Sequence, residues 1–258
     1  RQGNGILMRA RHVLVTGGSR GIGREIARKM MQGGDIVTVL GRSEAQLEAV
    51  VGAGDAHHYV VSDITCEKDL DNAFHRSVAQ AGAINVLVNN AGGSSSARFA
   101  DMAMDAFVQA FRLNVLGAAR LCQLVLPSMV ERRDGRIVNV ASTAALRGYT
   151  YVSPYVTAKH ALLGLTRSLA LEYARYGITV NAVCPGFTES DLVRDSVERI
   201  VRKSGRPAED IRTEFARFNP RGCLNSVEEV AVAAAFLCGR EAGAINGIAL
   251  PVAGGEVG

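Results

Sequence analysis

Cysteine is scarce in this chain and follows no pattern. Five cysteines (Cys66, Cys122, Cys184, Cys223 and Cys238) are scattered over 258 residues, with no C-x-x-C pair and no cluster among the five histidines. An odd, dispersed set excludes a disulfide framework or a zinc centre, so no metal is expected; the cysteines read as small buried hydrophobes in a reducing compartment. Nor is charge of one sign massed anywhere. The balance is 29 Lys+Arg against 25 Asp+Glu, a net +4 without a basic block, so nucleic acid is not an expected partner. No uninterrupted apolar run approaches the ~18–20 residues of a membrane helix, which argues against a membrane partner. Residues 1–11 lack the apolar stretch of a secretion signal, so a cytoplasmic location is expected. Met8 reads as the native start, with 1–7 a short tail. Internal repeats, low-complexity tracts and linkers are missing too, and one domain spanning 1–258 accounts for the length.

What the chain does have is alternation. Short runs rich in Val, Ile and Leu at 12–15, 36–40, 58–61, 86–88, 137–140, 179–183 and 248–252 are separated by stretches of helical period near 21–32, 43–50, 67–81, 101–133, 154–176 and 226–238. Runs apolar on both sides of the chain are strands buried on both faces, as in a parallel sheet. A repeating β-α order implies right-handed crossovers. The expected fold class is therefore α/β: a doubly wound, Rossmann-type sheet of seven parallel strands with helices on both faces. The segment 188–220 breaks the pattern. It is charged and loosely amphipathic, and 188–219 reads as a helical flap over the site.

Three groups of residues carry chemistry. The first run leads into Thr16-Gly17-Gly18-Ser19-Arg20-Gly21-Ile22-Gly23, a glycine-rich turn opening a helix near Ile22. Such a turn lets backbone approach a pyrophosphate, and the helix N-terminus favours its charge. The second run ends Gly41-Arg42-Ser43 without the acid that holds a ribose 2′-hydroxyl in NAD sites. Glu44 falls in the first turn of the next helix. Arg42, helped by Arg20, is placed for a 2′-phosphate, so NADP(H) is favoured over NAD(H).

The third group surrounds Tyr155. Ser153-Pro154 suits an N-cap and first helical position, and Tyr155 and Lys159, four apart, share a helix face. A neighbouring ammonium and the helix N-terminus are expected to lower the phenol's pKa from about 10. That would suit Tyr155 to proton exchange with a substrate oxygen. Ser142 closes the fifth run, at the strand end where ligands of open α/β sheets collect.

With these residues in place, the chain closely resembles the short-chain dehydrogenase/reductase family over nearly its whole length. The motifs are T-G-x-x-x-G-x-G (Thr16 to Gly23), Asp63 after the third strand and Asn89-Asn90-Ala91-Gly92. They continue with Asn114 in Leu113-Asn114-Val115, then Ser142, Tyr155 with Lys159, and Pro185-Gly186. The resemblance implies that Tyr155 donates and accepts the proton while Lys159 lowers its pKa and bonds the nicotinamide ribose. Ser142 would orient the carbonyl, and Asn114 would hold a water linking Lys159 to solvent. Asp63 and Ile64 would meet the adenine, Asn90 the ribose, and Pro185, Gly186 and Thr188 the nicotinamide end. Arginines at positions 20 and 42 accompany NADP use in the family. One departure is Ser190, where relatives often have threonine; its hydroxyl and that of Thr188 remain for the carboxamide.

The resemblance extends, through 182–187 and Gly254-Gly255-Glu256, to reductases of 3-oxoacyl thioesters and polyketide ketoreductases. It implies a small carbonyl or alcohol substrate carried on coenzyme A or a carrier protein, and a homotetramer joined through helices at 101–133 and 154–176. The pocket walls are read as 93–98, 143–152 and the flap. The flap holds seven basic residues (Arg194, Arg199, Arg202, Lys203, Arg206, Arg212 and Arg217) and seven acidic ones. A phosphopantetheine arm and a balanced amphipathic helix pair account for them equally well. Two other functions stay open: oxidation of a secondary alcohol or 3-hydroxyacyl-CoA with NAD, and, more remotely, a non-catalytic dinucleotide-binding regulator.

Overall fold

The β-branched runs pair side by side because each is apolar on both faces. In the computed structural model, which describes residues 10–257, they form one seven-stranded parallel sheet of order β3-β2-β1-β4-β5-β6-β7. The strands are β1 His12–Thr16, β2 Ile36–Gly41, β3 His58–Val61, β4 Ile84–Asn89, β5 Gly135–Val140, β6 Ile178–Pro185 and β7 Ala249–Val252. The readings of Met8 as the start and of 1–7 as a tail lie outside the described residues.

Side chains alternate across the sheet and so build two cores. Val13 and Val15 of β1 join Ile26 and Met30 of α1 (Gly21–Gln32), Leu47 of α2 (Glu44–Gly52) and Leu237 of α9 (Val227–Cys238) on one face. Leu14 joins Leu70 of α3 (Glu67–Ala81), Leu121 and Met129 of α5 (Gly117–Arg132) and Ala170 of α6 (Ser153–Tyr173) on the other. The flap is a helix pair, α7 (Asp191–Ser204) and α8 (Ala208–Ala216). It is closed by its own cluster of Val193, Val197, Ile211, Phe187 and Phe215.

Several boundaries differ from the sequence reading. β4 begins two residues early and includes Asn85, whose side-chain Oδ1 accepts the His12 backbone N–H at 2.9 Å where the β1–β4 register shifts. The stretch 101–133 is not one α-helix. A 3₁₀ turn (Phe99–Asp101) ends at extended Met102; α4 (Asp105–Phe111) then passes through a π-helical turn, Arg112–Leu116, into α5. This run, Asp105–Arg132, is long and apolar enough by length and composition to cross a membrane, although no uninterrupted apolar stretch announces it. Half of its most apolar window is buried, and α5 packs on α3, β4 and β5. Ser153 is not an N-cap but the first residue of α6; Val152 precedes it in cap position without a side-chain bond. By contrast Ser226 caps α9, forming a reciprocal capping box with Glu229. Cys122, Cys184 and Cys238 are buried as read, but Cys66 and Cys223 are exposed.

A buried polar ladder fixes α6 against the sheet. Asn89 and Asn139 are register partners on β4 and β5, and the Asn89 amide donates to Asn139 Oδ1 at 2.9 Å. Asn139 donates onward to Thr166 Oγ1 of α6 at 2.8 Å, and Thr166 donates to the Leu162 carbonyl. All three side chains are buried, so each depends on its neighbour for satisfaction. Asn139→Ala should lower the unfolding free energy by about 1–3 kcal/mol, the cost of orphaning buried partners, in urea titrations. Combined with Thr166→Val it should cost less than the sum of the two single changes.

Candidate active site

The cleft lies at the carboxyl ends of the strands, across the gap between β1 and β4 where the winding reverses, the usual ligand position in such sheets. Its volume is about 640 Å³. At its centre is the glycine turn. Gly17 has φ of +64°, a region that favours glycine. A Cβ on Gly23 would fall 2.3 Å from Asn90 Nδ2 and 2.4 Å from the Gly17 carbonyl oxygen. Thr16 Oγ1 accepts the backbone N–H groups of Asn90 and Ala91 at 3.0 Å, and Asn90 Nδ2 donates to the carbonyls of Thr16 and Gly17. Asn90 therefore buttresses the turn with the amide that the sequence reading aimed at a ribose. The first turn of α1 carries no acidic side chain, leaving its N–H groups and positive dipole end for an anion. Ser19, Gly21 and Ile22 line this part of the cleft.

Arg42, Asp63 and Ile64 line the end formed by β2 and β3. Asp63 Oδ1 accepts both the backbone N–H of Thr65 (2.9 Å) and its hydroxyl (2.8 Å). These bonds, with Arg42 nearby, hold its carboxyl below the usual range. Arg20 departs from expectation. Its guanidinium turns to the flap, with Nε 3.7 Å from Asp191 and Nη2 3.4 Å from Asp195. Arg42 is thus the cation left at the β2 tip.

The opposite end of the cleft holds Ser142, Tyr155 and Lys159, with Pro185, Gly186 and Thr188. Ser142 Oγ accepts the Ala144 N–H at 3.1 Å, and Ser142 favours the Tyr155 phenolate. Lys159 is 3% exposed, and its Nζ donates to the Val140 carbonyl at 2.8 Å. Burial lowers its pKa to about 8. The ammonium lies 5.6 Å from the centre of the Tyr155 ring. The expected lowering of the Tyr155 pKa is not found. Desolvation raises it, and the Ser142 hydrogen bond opposes that rise only in part. Cys184 beneath them is a protonated thiol, pushed up to about 11 by burial. The Thr188 hydroxyl donates to the Gly186 carbonyl at 2.9 Å, so it shapes the strand end.

Asn114 occupies the π-helical turn, a feature that recurs at functional sites. Its amide donates to the carbonyls of Ala110 (3.0 Å) and Gly93 (3.1 Å), and its oxygen accepts the Gly93 N–H at 3.3 Å. Gly92 passes between Asn114 and Lys159: a Cβ there would lie 2.7 Å from Asn114 Oδ1 and 3.4 Å from Lys159 Nζ. Sequence reading placed 143–152 in the pocket wall and noted Glu256, but did not bring them together. The Tyr149 hydroxyl donates to Glu256 and pairs with Thr143 Oγ1 at 2.6 Å, next to Ser142. Glu256 Oε2 is buried without a partner, against Gly186. Burial pushes the pKa of Glu256 up. The Tyr149 ring touches Phe187 and Phe218 of the flap, tying the chain's end to the pocket wall.

The glycine cradle, the helix N-terminus whose own first turn carries no acid and the proton-active side chains at the far end fit a nicotinamide dinucleotide and define an oxidoreductase site. The model of the family described as "short chain dehydrogenase" matches residues 11–200. The chain is 34% identical over 247 residues to 3-oxoacyl-(acyl-carrier-protein) reductase of Aquifex aeolicus, covering 94% of this chain and 95% of that one. It is 32% identical over 256 residues to D-beta-hydroxybutyrate dehydrogenase of Cupriavidus necator, covering 97% and 99%. A variant of actinorhodin polyketide ketoreductase solved with NADPH superposes with a TM-score of 0.90 at 35% identity, covering 96% and 97%. The chain belongs to the short-chain dehydrogenase family and is an oxidoreductase resembling the 3-oxoacyl reductases.

Gly23→Ala should force Asn90 and the Gly17 carbonyl apart and weaken NADPH binding at least tenfold, read from nucleotide fluorescence. Wild-type affinity would contradict the cradle.

Proposed function

We propose that this chain is an NADP(H)-dependent reductase of a 3-oxoacyl thioester, with Tyr155 as general acid/base. The observation that carries this reading is the meeting of Ser142, Tyr155 and Lys159 at one end of a cleft whose other end presents Arg42. The glycine turn and α1 would hold the pyrophosphate, Arg42 the 2′-phosphate, and Asp63 and Ile64 the adenine. Pro185, Gly186 and Thr188 would line the nicotinamide end. When bound, the nicotinamide exchanges a hydride with the substrate carbon.

The chain's own residues handle the oxygen. The Ser142 hydroxyl would donate to the carbonyl and polarise it. The Tyr155 phenol, neutral in the resting site, gives its proton as charge develops on that oxygen, and the alcohol results. The Lys159 ammonium stabilises the phenolate left behind and can hand on a proton, since its own pKa of about 8 lies near neutrality. Asn114 fixes Gly93 and the loop beside Lys159. Residues 1–258 would act as one unit with 188–219 as its flap. A cytoplasmic homotetramer agrees with the exposed Val108, Leu116 and Leu171 on α4 to α6.

The similarity to a hydroxybutyrate dehydrogenase favours, as a second reading, oxidation of a 3-hydroxyacyl compound with NAD. Absorbance of the reduced nicotinamide during incubation with acetoacetyl-CoA, with NADPH and NADH in parallel, distinguishes the two. Oxidation of NADPH alone is expected; oxidation of NADH alone would favour the second reading. Tyr155→Phe should reduce kcat roughly 10²- to 10⁴-fold, the usual share of a general acid; an unaltered kcat would refute the assigned role. Arg42→Asp should weaken NADPH binding roughly ten- to a hundredfold more than NADH binding, as loss of a charge-assisted contact requires.

A further inference from the structure

Three of the seven flap cations are matched by acids, and Arg202, Lys203 and Arg217 are exposed with no carboxylate at salt-bridge distance among the described residues. Arg194 pairs with Asp191, Arg206 with Glu214 at 2.8 Å and Arg212 with Glu189 at 2.9 Å, while Arg20 takes Asp191 and Asp195. Arg199 of α7 is different. Among the described residues it has no carboxylate at salt-bridge distance, yet it is half-buried and lines the same cleft as Ser142, Tyr155 and Lys159. Its guanidinium donates from Nη1 to the Ser94 carbonyl at a long 3.4 Å and from Nη2 to Ser196 Oγ at 3.0 Å. Its Nε–H is buried with no acceptor.

A guanidinium offers five N–H donors in a planar fork. Half-burying one without a counter-charge and with an orphaned donor is unfavourable, unless an anion arrives to complete it. The place of that anion follows from the neighbours. Ser94 belongs to the loop after β4, on the wall shared with Gly92 and Gly93 beside the catalytic lysine. The cofactor's phosphates have their own partners in the α1 N-terminus and Arg42. Arg199 therefore faces the substrate's side of the cleft, and it comes from the flap.

We propose that Arg199 receives an anionic group of the substrate, a phosphate or carboxylate beyond the reacting carbonyl, and that this contact draws α7 onto the Ser94 loop. The assignment rests on the reductase reading above and names what its substrate must carry. A phosphate would come from the coenzyme A or carrier-bound arm of a thioester, a carboxylate from a free oxo acid.

The test compares charged and neutral forms of the same ketone. kcat/KM is measured for acetoacetyl-CoA against the uncharged N-acetylcysteamine thioester, and for acetoacetate against its ethyl ester. In Arg199→Gln the charged-to-neutral ratio should fall at least tenfold in one pair, mainly through KM, and Arg199→Lys should recover part of it. A fall in the first pair identifies the phosphate; a fall in the second, the carboxylate. Ratios unchanged in both pairs would overturn the proposal, as would a loss equal for charged and neutral substrates. If the wild type reduces none of the four, the thioester reading fails on its own. Arg199 is then judged by titrating the fluorescence of bound NADPH with coenzyme A and with 3-hydroxybutyrate. A response lost in Arg199→Gln supports anion binding, and identical responses, or none in either protein, overturn it.

Discussion

Lys159 places an ammonium in a nearly closed interior, with the carbonyl of Val140 at 2.8 Å as its hydrogen-bond partner. Removing such a charge from water is costly, and the protein meets the cost in two ways. The bond to the end of β5 gives the ammonium a fixed acceptor, and the fall of its pKa to about 8 lets it lose its proton readily. The same bond ties α6 to the sheet at the level of Ser142. The positions of the serine, the tyrosine and the lysine thus follow from one contact between a helix and a strand end. The polar ladder of Asn89, Asn139 and Thr166 fastens that helix a few residues further along. Buried polar groups of this kind specify one alignment of α6, because a slip would leave several of them unpaired.

The Tyr155 phenol is raised rather than lowered because desolvation disfavours the phenolate more than Ser142 favours it. A neutral phenol is the form that donates a proton, which suits the proposed reduction. In that proposal Lys159 would act on the conjugate base, where a buried opposite charge matters most. The cofactor half is governed by a steric constraint instead. Gly17, Gly23 and Asn90 interlock so closely that a Cβ would displace backbone, a closeness that suits the proposed approach of a pyrophosphate.

Much of this was legible in the chain. Seven strands announce themselves as short apolar runs, although the edge strands β3 and β7 are only partly buried, and the glycine turn, Tyr155 and Lys159 stand out by spacing. The features that escaped share a physical reason: each depends on contacts that local pattern does not encode. A π turn at 112–116 is a matter of backbone hydrogen bonding that no residue type marks, so Asn114 could be named but its grip on Ala110 and Gly93 could not. Ser153-Pro154 carries the chemistry of a cap, yet the helix begins one residue earlier. Arg20 sits in a turn that faces phosphate, but the acids that draw it away lie on the flap. Tyr149 and Glu256 meet across 107 positions. Arg199 appeared in sequence as one of seven flap cations, and only its half-buried place in the cleft with an unmatched Nε–H sets it apart.

The chemistry of the site turns on the buried ammonium, and its titration is the direct check. Carbon-13 NMR of lysine side chains in the folded protein, with Lys159 assigned by its loss in Lys159→Arg, follows that group alone across the alkaline range. A midpoint near 8 is the predicted result. A midpoint at the ordinary lysine value of 10.5 would contradict the account, for it would mean that Lys159 is solvated and that burial does not set the chemistry of this site.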